Sequence, residues 1–169
     1  RTYLIGCGSL FVAYMVLLYL GIGLAADRQQ VLEVGLLNYL WPSLTLLLTA
    51  ALFGRVTLLL WPGTAIALAG VFLVLSPGAE LSLSSWARHV AANPAAYGLG
   101  LAAAWAWALY SVLARKWAGG SAAGGVDLFL PLTAAVLLLI SLGVDEPRSW
   151  GVRPVAEAIL LGAATYAAY

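Results

Sequence analysis

Charged residues in this chain stand in small clusters separated by long uncharged runs, and those runs are long enough to cross a membrane. They lie between Arg1 and Asp27, Glu33 and Arg55, Arg55 and Glu80, His89 and Arg115, and Asp127 and Asp145, and a sixth starts after Arg153. A spanning helix needs about 17–25 predominantly apolar residues, and lipid offers the backbone no hydrogen-bond partner, so such runs must be helical. The six runs, labelled spans A to F in chain order, predict an all-α fold, a polytopic integral membrane bundle. Composition agrees: 63% of residues are hydrophobic and 9% charged, against about 25% charged in a soluble domain. One such run near the start would suit a signal peptide, but six in series do not.

The connections carry nearly all the charge. Asp27, Arg28 and Glu33 fall between A and B, and Gly54-Arg55 makes a tight turn between B and C in which Gly54 is expected to close the helix. The C–D link, "ELSLSSWARHVAANP", places Leu81, Leu83, Trp86 and Val90 so that they can lie along the membrane surface, with Trp86 as an interfacial anchor. His89 in that link reads as solvated or interfacial. The links after D and E, "RKWAGGSAAGG" and "DEPRSWGVRP", are polar or flexible, and none is long enough to form a domain. The expected division is spans A–C over 1–79, an interfacial linker over 80–94, and spans D–F over 95–169. Arg115-Lys116, the densest basic signal, favours a cytoplasmic start for span A. The chain starts at Arg1 and stops inside span F, which reads as an excerpt of a longer protein.

Span B interrupts itself at "NYLWP". Pro42 lacks an N–H and crowds the carbonyl of Asn38, so a kink there frees an acceptor one turn from a side-chain amide. Gly35, Asn38, Pro42, Thr45 and Thr49 recur at steps of three and four and form one polar stripe. Such a stripe either lines a cavity or hydrogen-bonds a neighbouring helix. Tyr39 and Trp41, two residues apart, point to different sides, so at most one of them faces a cavity squarely. In span D, Trp107, Tyr110 and Ser111 share a face and Trp105 points nearly opposite, toward lipid or core. Tyr14, in the middle of span A, needs a partner for its hydroxyl. Gly63, Ala67 and Gly70 in span C are spaced for close helix packing, and Pro62 suits a helix start.

What is missing also narrows the choice. With a net charge of +1 nothing suggests nucleic acid. The lone Cys7 and lone His89 offer no metal cluster and no nucleophile arrangement, so no enzyme and no cofactor is expected. No carboxylate lies at the centre of any span, and transport would accordingly respond little to an imposed proton gradient.

The strings "SLFVAY", "LEVGLLNYLWPSLTLLL" and "GTAIALAGVFLVL" resemble the drug/metabolite transporter superfamily, most closely from about Gly8 to Leu75. That resemblance implies ten helices in two inverted five-helix halves, of which spans A to F would be helices three to eight, with both termini cytoplasmic. It implies export of amino acids, aromatic or otherwise apolar, across the bacterial inner membrane, by a monomer whose partners are the amino acid and the bilayer. The candidate substrate-binding residues are Tyr14, Asn38, Tyr39, Trp41, Pro42, Thr45, Trp107 and Tyr110. Efflux of lipophilic cations is the first alternative, and a membrane assembly or scaffold protein the second.

Overall fold

The computed structural model describes residues 2–54, 60–75, 83–117, 125–144 and 151–168. Within them the chain forms helices α1 (Thr2–Gly23), α2 (Arg28–Asn38), α3 (Trp41–Phe53), α4 (Leu60–Leu75), α5 (Leu83–Ala92), α6 (Pro94–Trp117), α7 (Val126–Gly143) and α8 (Val152–Ala168). Helices α1, α2 with α3, α4, α6, α7 and α8 follow spans A to F in order, but α2 starts at Arg28, so that Arg28 and Glu33, expected in the A–B link, lie within it. Four of these stretches, Thr2–Gly23, Arg28–Phe53, Pro94–Trp117 and Val126–Gly143, are long and apolar enough to cross a membrane. The protein is all-α and polytopic. Leu4, Ile5, Ile66, Leu73 and Ile159 lie exposed on helix surfaces, which would be a liability in water and is ordinary solvation in lipid.

The chain divides into two compact units, Arg1–Leu137 and Leu138–Tyr169. In the second, α8 carries an exposed Arg153–Glu157 ion pair, Nε to Oε1 2.8 Å, one turn apart. In the first, α6 is the central helix and packs against α1, α2, α3 and α5. Half of its membrane-length window is buried, against 22% for α1, because its sequence is rich in side chains that occupy little space. Ala103, Ala104 and Ala108 are wholly buried. With no hydrophobic drive between helices in lipid, close approach through such residues is what holds them together.

Glycine makes the closest of these approaches. A Cβ on Gly100 would meet Val34 Cγ1 at 2.8 Å and the Val34 carbonyl at 3.2 Å, and one on Gly21 would meet the Ala96 carbonyl at 3.1 Å. Gly100→Ala is therefore expected to push α2 off α6 and to cost about 1–3 kcal/mol, visible as a lower melting temperature in detergent. The spacing of Gly63 and Gly70 predicts the same use in α4, but nothing lies within 4 Å of a Cβ built on either. Their faces meet no close neighbour among the described residues, and the tight seam runs through α1, α2 and α6 instead.

Gly54 ends α3 at φ 65°, with its N–H bonded to the Ala50 carbonyl at 2.9 Å, in the left-handed conformation that glycine adopts freely. The C–D link does hold an amphipathic helix, α5. Its Trp86 and Val90 pack against Val34, Ala96 and Tyr97, so that face is covered by the bundle. Leu81 lies outside the described residues. Asn93 fixes the corner between α5 and α6: its Oδ1 accepts from the Ala96 N–H at 3.3 Å, and its Nδ2 donates to the Leu24 carbonyl at 2.7 Å and to Gln30 Oε1 at 3.0 Å.

Candidate functional site

The span that opens at Arg28 is two helices in series. Asp27 caps the first, its carboxylate accepting from the Gln30 N–H at 2.8 Å. That helix closes at Asn38 with the Tyr39 N–H bonded to the Gly35 carbonyl and the Leu40 N–H to the Leu37 carbonyl, both at 3.1 Å. The second of these is an i→i−3 bond that tightens the last turn. Trp41 opens α3, and Pro42 sits in its first turn, where a missing N–H is tolerated. Regular bonding resumes with Leu44 N–H to the Leu40 carbonyl at 3.0 Å. The kink predicted at Pro42 is thus a full break two residues earlier, and Pro42 brings no N–H to the carbonyl of Asn38.

Aromatic rings from three helices gather at this break. Trp107 of α6 lies 4.6 Å from Tyr14 of α1 between ring centroids, 5.1 Å from Tyr110 and 6.2 Å, edge to face, from Trp41 of α3. Phe11 joins from α1, at 5.9 Å from Trp107 and 5.5 Å from Tyr110. Below it Cys7, Phe11, Tyr110 and Phe129 make a closed apolar core. Asn38 is buried among these groups at the end of α2 and donates from Nδ2 to the Tyr14 hydroxyl over a long 3.5 Å. Its Oδ1 is buried with no partner. An acceptor in that condition costs about 1–3 kcal/mol, and few are kept in native proteins without a use.

The structure therefore brings Tyr14, Asn38, Trp41, Trp107 and Tyr110 together and places Pro42 at the break that positions them. Tyr39 lies outside the ring group and is 43% exposed; of the two aromatics flanking the break, Trp41 is the one that turns inward. The Thr45 hydroxyl donates to the Trp41 carbonyl at 2.7 Å, and that of Thr49 to the Thr45 carbonyl at 2.7 Å. Both therefore support their own helix. Ser111 does the same toward Trp107 at 2.8 Å. Trp105 is 42% exposed on the far side of α6.

A second polar group has no counterpart in the sequence reading. Glu33 is wholly buried. Its carboxylate accepts from the Tyr97 hydroxyl through a very short bond, from His89 Nδ1 at 3.1 Å to each oxygen, and from Gln29 Nε2 at 3.3 Å. His89, expected to be solvated or interfacial, is held across α5 onto α2, with its side chain 27% exposed. These partners stand 56 and 64 residues from Glu33 in the chain, and no local spacing could have paired them. The available signal was a lone carboxylate and a lone histidine, each facing an apolar span.

An all-α chain with four stretches long and apolar enough to cross a membrane, one of them broken beside an aromatic cluster, defines a multi-pass membrane protein. The chain is 38% identical over 164 residues to the aromatic amino acid exporter YddG of Salmonella typhimurium, covering 96% of this chain and 55% of that protein. It is 35% identical over 166 residues to the aromatic amino acid exporter YddG of Escherichia coli, covering 98% of this chain and 56% of that protein. It is thus a homologue of bacterial amino acid exporters, as the NYLWP region and its flanks imply, and it spans about half the length of the curated relatives it matches. No family model matches the sequence, and no solved structure matches it. Helical multi-pass proteins of such bacteria reside in the inner membrane, since the outer membrane takes β-barrels.

Proposed function

We propose that the protein exports amino acids, aromatic or otherwise apolar, by alternating access across the bacterial inner membrane, as part of a ten-helix transporter of two inverted halves. The observation that carries this reading is the unpaired, buried Oδ1 of Asn38 beside the rings of Tyr14, Trp41 and Trp107. An α-ammonium would supply the donor that this oxygen lacks. The start of α3 would set the positive end of its helix dipole toward a carboxylate. Trp41, Trp107 and Tyr110 offer faces to an apolar side chain, while Tyr39 and Thr45 contribute at the margin. Every one of these groups is neutral, which suits a zwitterion. Neutral aromatic faces also attract lipophilic cations, which supports cation efflux as the second reading.

Counterflow in proteoliposomes separates the readings. Labelled phenylalanine exchanged by unlabelled phenylalanine supports amino acid export, movement of a quaternary ammonium dye alone supports cation efflux, and movement of neither returns the protein to a structural role. Asn38→Leu is expected to cut phenylalanine export about tenfold or more, the worth of a hydrogen bond to a charged group. The same change should leave the melting temperature unchanged or raised, because it deletes a buried acceptor that has no partner. Pro42→Ala, which returns an N–H to the Asn38 carbonyl, should also lower export without loss of stability.

A further inference from the structure

We propose that Phe129, carried on the first turns of α7, is a movable plug that closes the aromatic site toward the end of the bundle where α1 begins and α6 ends; this role rests on the reading of that site as the substrate's. The rings stand in two layers. Trp107 meets Tyr14 and Trp41 in one. Phe11 and Tyr110 connect it to the other, where Phe129 stands 5.9 Å from Phe11 and 6.5 Å from Tyr110 between ring centroids. Tyr3, nearer the start of α1, follows at 6.0 Å. Phe129 is 1% exposed and Cys7 beside it is wholly buried, so from this end the way to Trp107 leads past the Phe129 ring.

The helix that carries the ring is lightly held. Among the described residues of α7, Phe129 and Thr133 are the buried ones, while Leu128 and Leu132 face outward. The Thr133 hydroxyl donates to the Phe129 carbonyl at 2.7 Å, a bond within α7 that ties it to no neighbour. From outside the helix, the Tyr3 hydroxyl accepts from the Gly125 N–H at 3.0 Å, just ahead of the first turn. The seat is smooth: a Cβ on Gly8 would meet the Phe129 ring at 2.9 Å and one on Gly125 at 2.8 Å, so on those two sides the ring rests against bare backbone. Lipid gives little reward for burying an apolar ring, and fit alone keeps it there. Pro131, two residues further on, lies inside α7 and brings no N–H to the Asp127 carbonyl. The turn bearing Phe129 is thereby joined to the rest of α7 by one bond fewer, which lets it swing.

Cys7 is the single cysteine of the chain, so its reaction with a cationic methanethiosulfonate in the purified protein reads the plug with no substrate present. Wild-type Cys7 is expected to react through local opening, faster than global unfolding allows and with little dependence on added denaturant. Tyr3→Phe, which releases the Gly125 N–H, should react about fivefold faster, the worth of one hydrogen bond. Pro131→Ala returns the missing bond to Asp127 and removes the costlier helix residue, so it should fold and react about fivefold slower. A ring fixed as packing would show no such slowing. Leu132→Ala, on the outward face of the same helix, should match the wild type. Reaction of wild-type Cys7 only at the rate of global unfolding, or a Pro131→Ala rate equal to or above that of the wild type, overturns the proposal. Such a failure leaves amino acid export to the counterflow experiment, whereas failed counterflow with these rates observed would overturn the reading of the site and not the motion of the ring.

Discussion

Glu33→Ala is expected to destabilise the protein by about 3–5 kcal/mol, the cost of leaving a buried donor without its acceptor and of the void left behind. The change strands the buried Tyr97 hydroxyl and removes the acceptor that His89 Nδ1 and the Gln29 amide share with it, and it leaves a void at the junction of α2, α5 and α6. For a protein whose net stability is about 5–15 kcal/mol, this is a large fraction of the whole. Thermal unfolding in detergent should show the melting temperature falling further than for any single substitution on the lipid-facing surface, Trp105→Ala included. Glu33→Gln keeps the shape and some of the hydrogen bonding, and its loss should be about 1–3 kcal/mol. Equal effects of the two variants would mean that charge contributes nothing at this junction.

Trp107→Ala should strike export and stability together. The ring touches Phe11, Tyr14, Trp41 and Tyr110, and truncating a tryptophan so placed costs about 3–5 kcal/mol. Sequence spacing alone makes Trp107 a wall residue whose loss spares the fold; its four ring neighbours show that it is also a keystone of the bundle. Export per folded molecule, measured below the melting temperature of the variant, should still fall about tenfold or more if, as proposed, an aromatic substrate rests on this face. Trp107→Phe should restore most of the stability and part of the export. A Trp107→Ala protein that melts early yet exports normally per folded molecule would remove Trp107 from the substrate site.

The spans were legible because charge is costly in lipid: Asp27 falls between α1 and α2, and Asp127 in the first turn of α7. The break at Asn38–Pro42 was legible from the chemistry of proline, and the shared face of Trp107 and Tyr110 from helical spacing, since both are local; which of Tyr39 and Trp41 turns inward was not. The Thr45 hydroxyl could not be placed, because spacing puts it on the polar stripe without saying that it folds back to the Trp41 carbonyl at 2.7 Å. Nor could spacing say that Gly63 and Gly70 would meet no close neighbour while Gly100 would touch Val34. Glu33 lay hidden for the same reason. A carboxylate near a helix end looks solvated until the elements that cover it, α5 and the start of α6, are brought back from far along the chain.

The two halves of the broken span are held very differently. Helix α2 buries Gln30, Glu33, Val34 and Asn38, whereas α3 has no buried residue among those described. A continuous helix must rupture backbone hydrogen bonds to bend, but between Asn38 and Pro42 the ladder is already open. Tyr39 and Leu40 are therefore a hinge crossed by fewer backbone bonds than a continuous helix would have, those from Leu40 to Leu37 and from Leu44 to Leu40 among them, with α2 as its fixed leaf and α3 as its swinging one. Because Trp41 is the first residue of the swinging leaf, a tilt of α3 would move that ring relative to Trp107 and to the unpaired oxygen of Asn38, tying the proposed binding group to the motion of a single short helix.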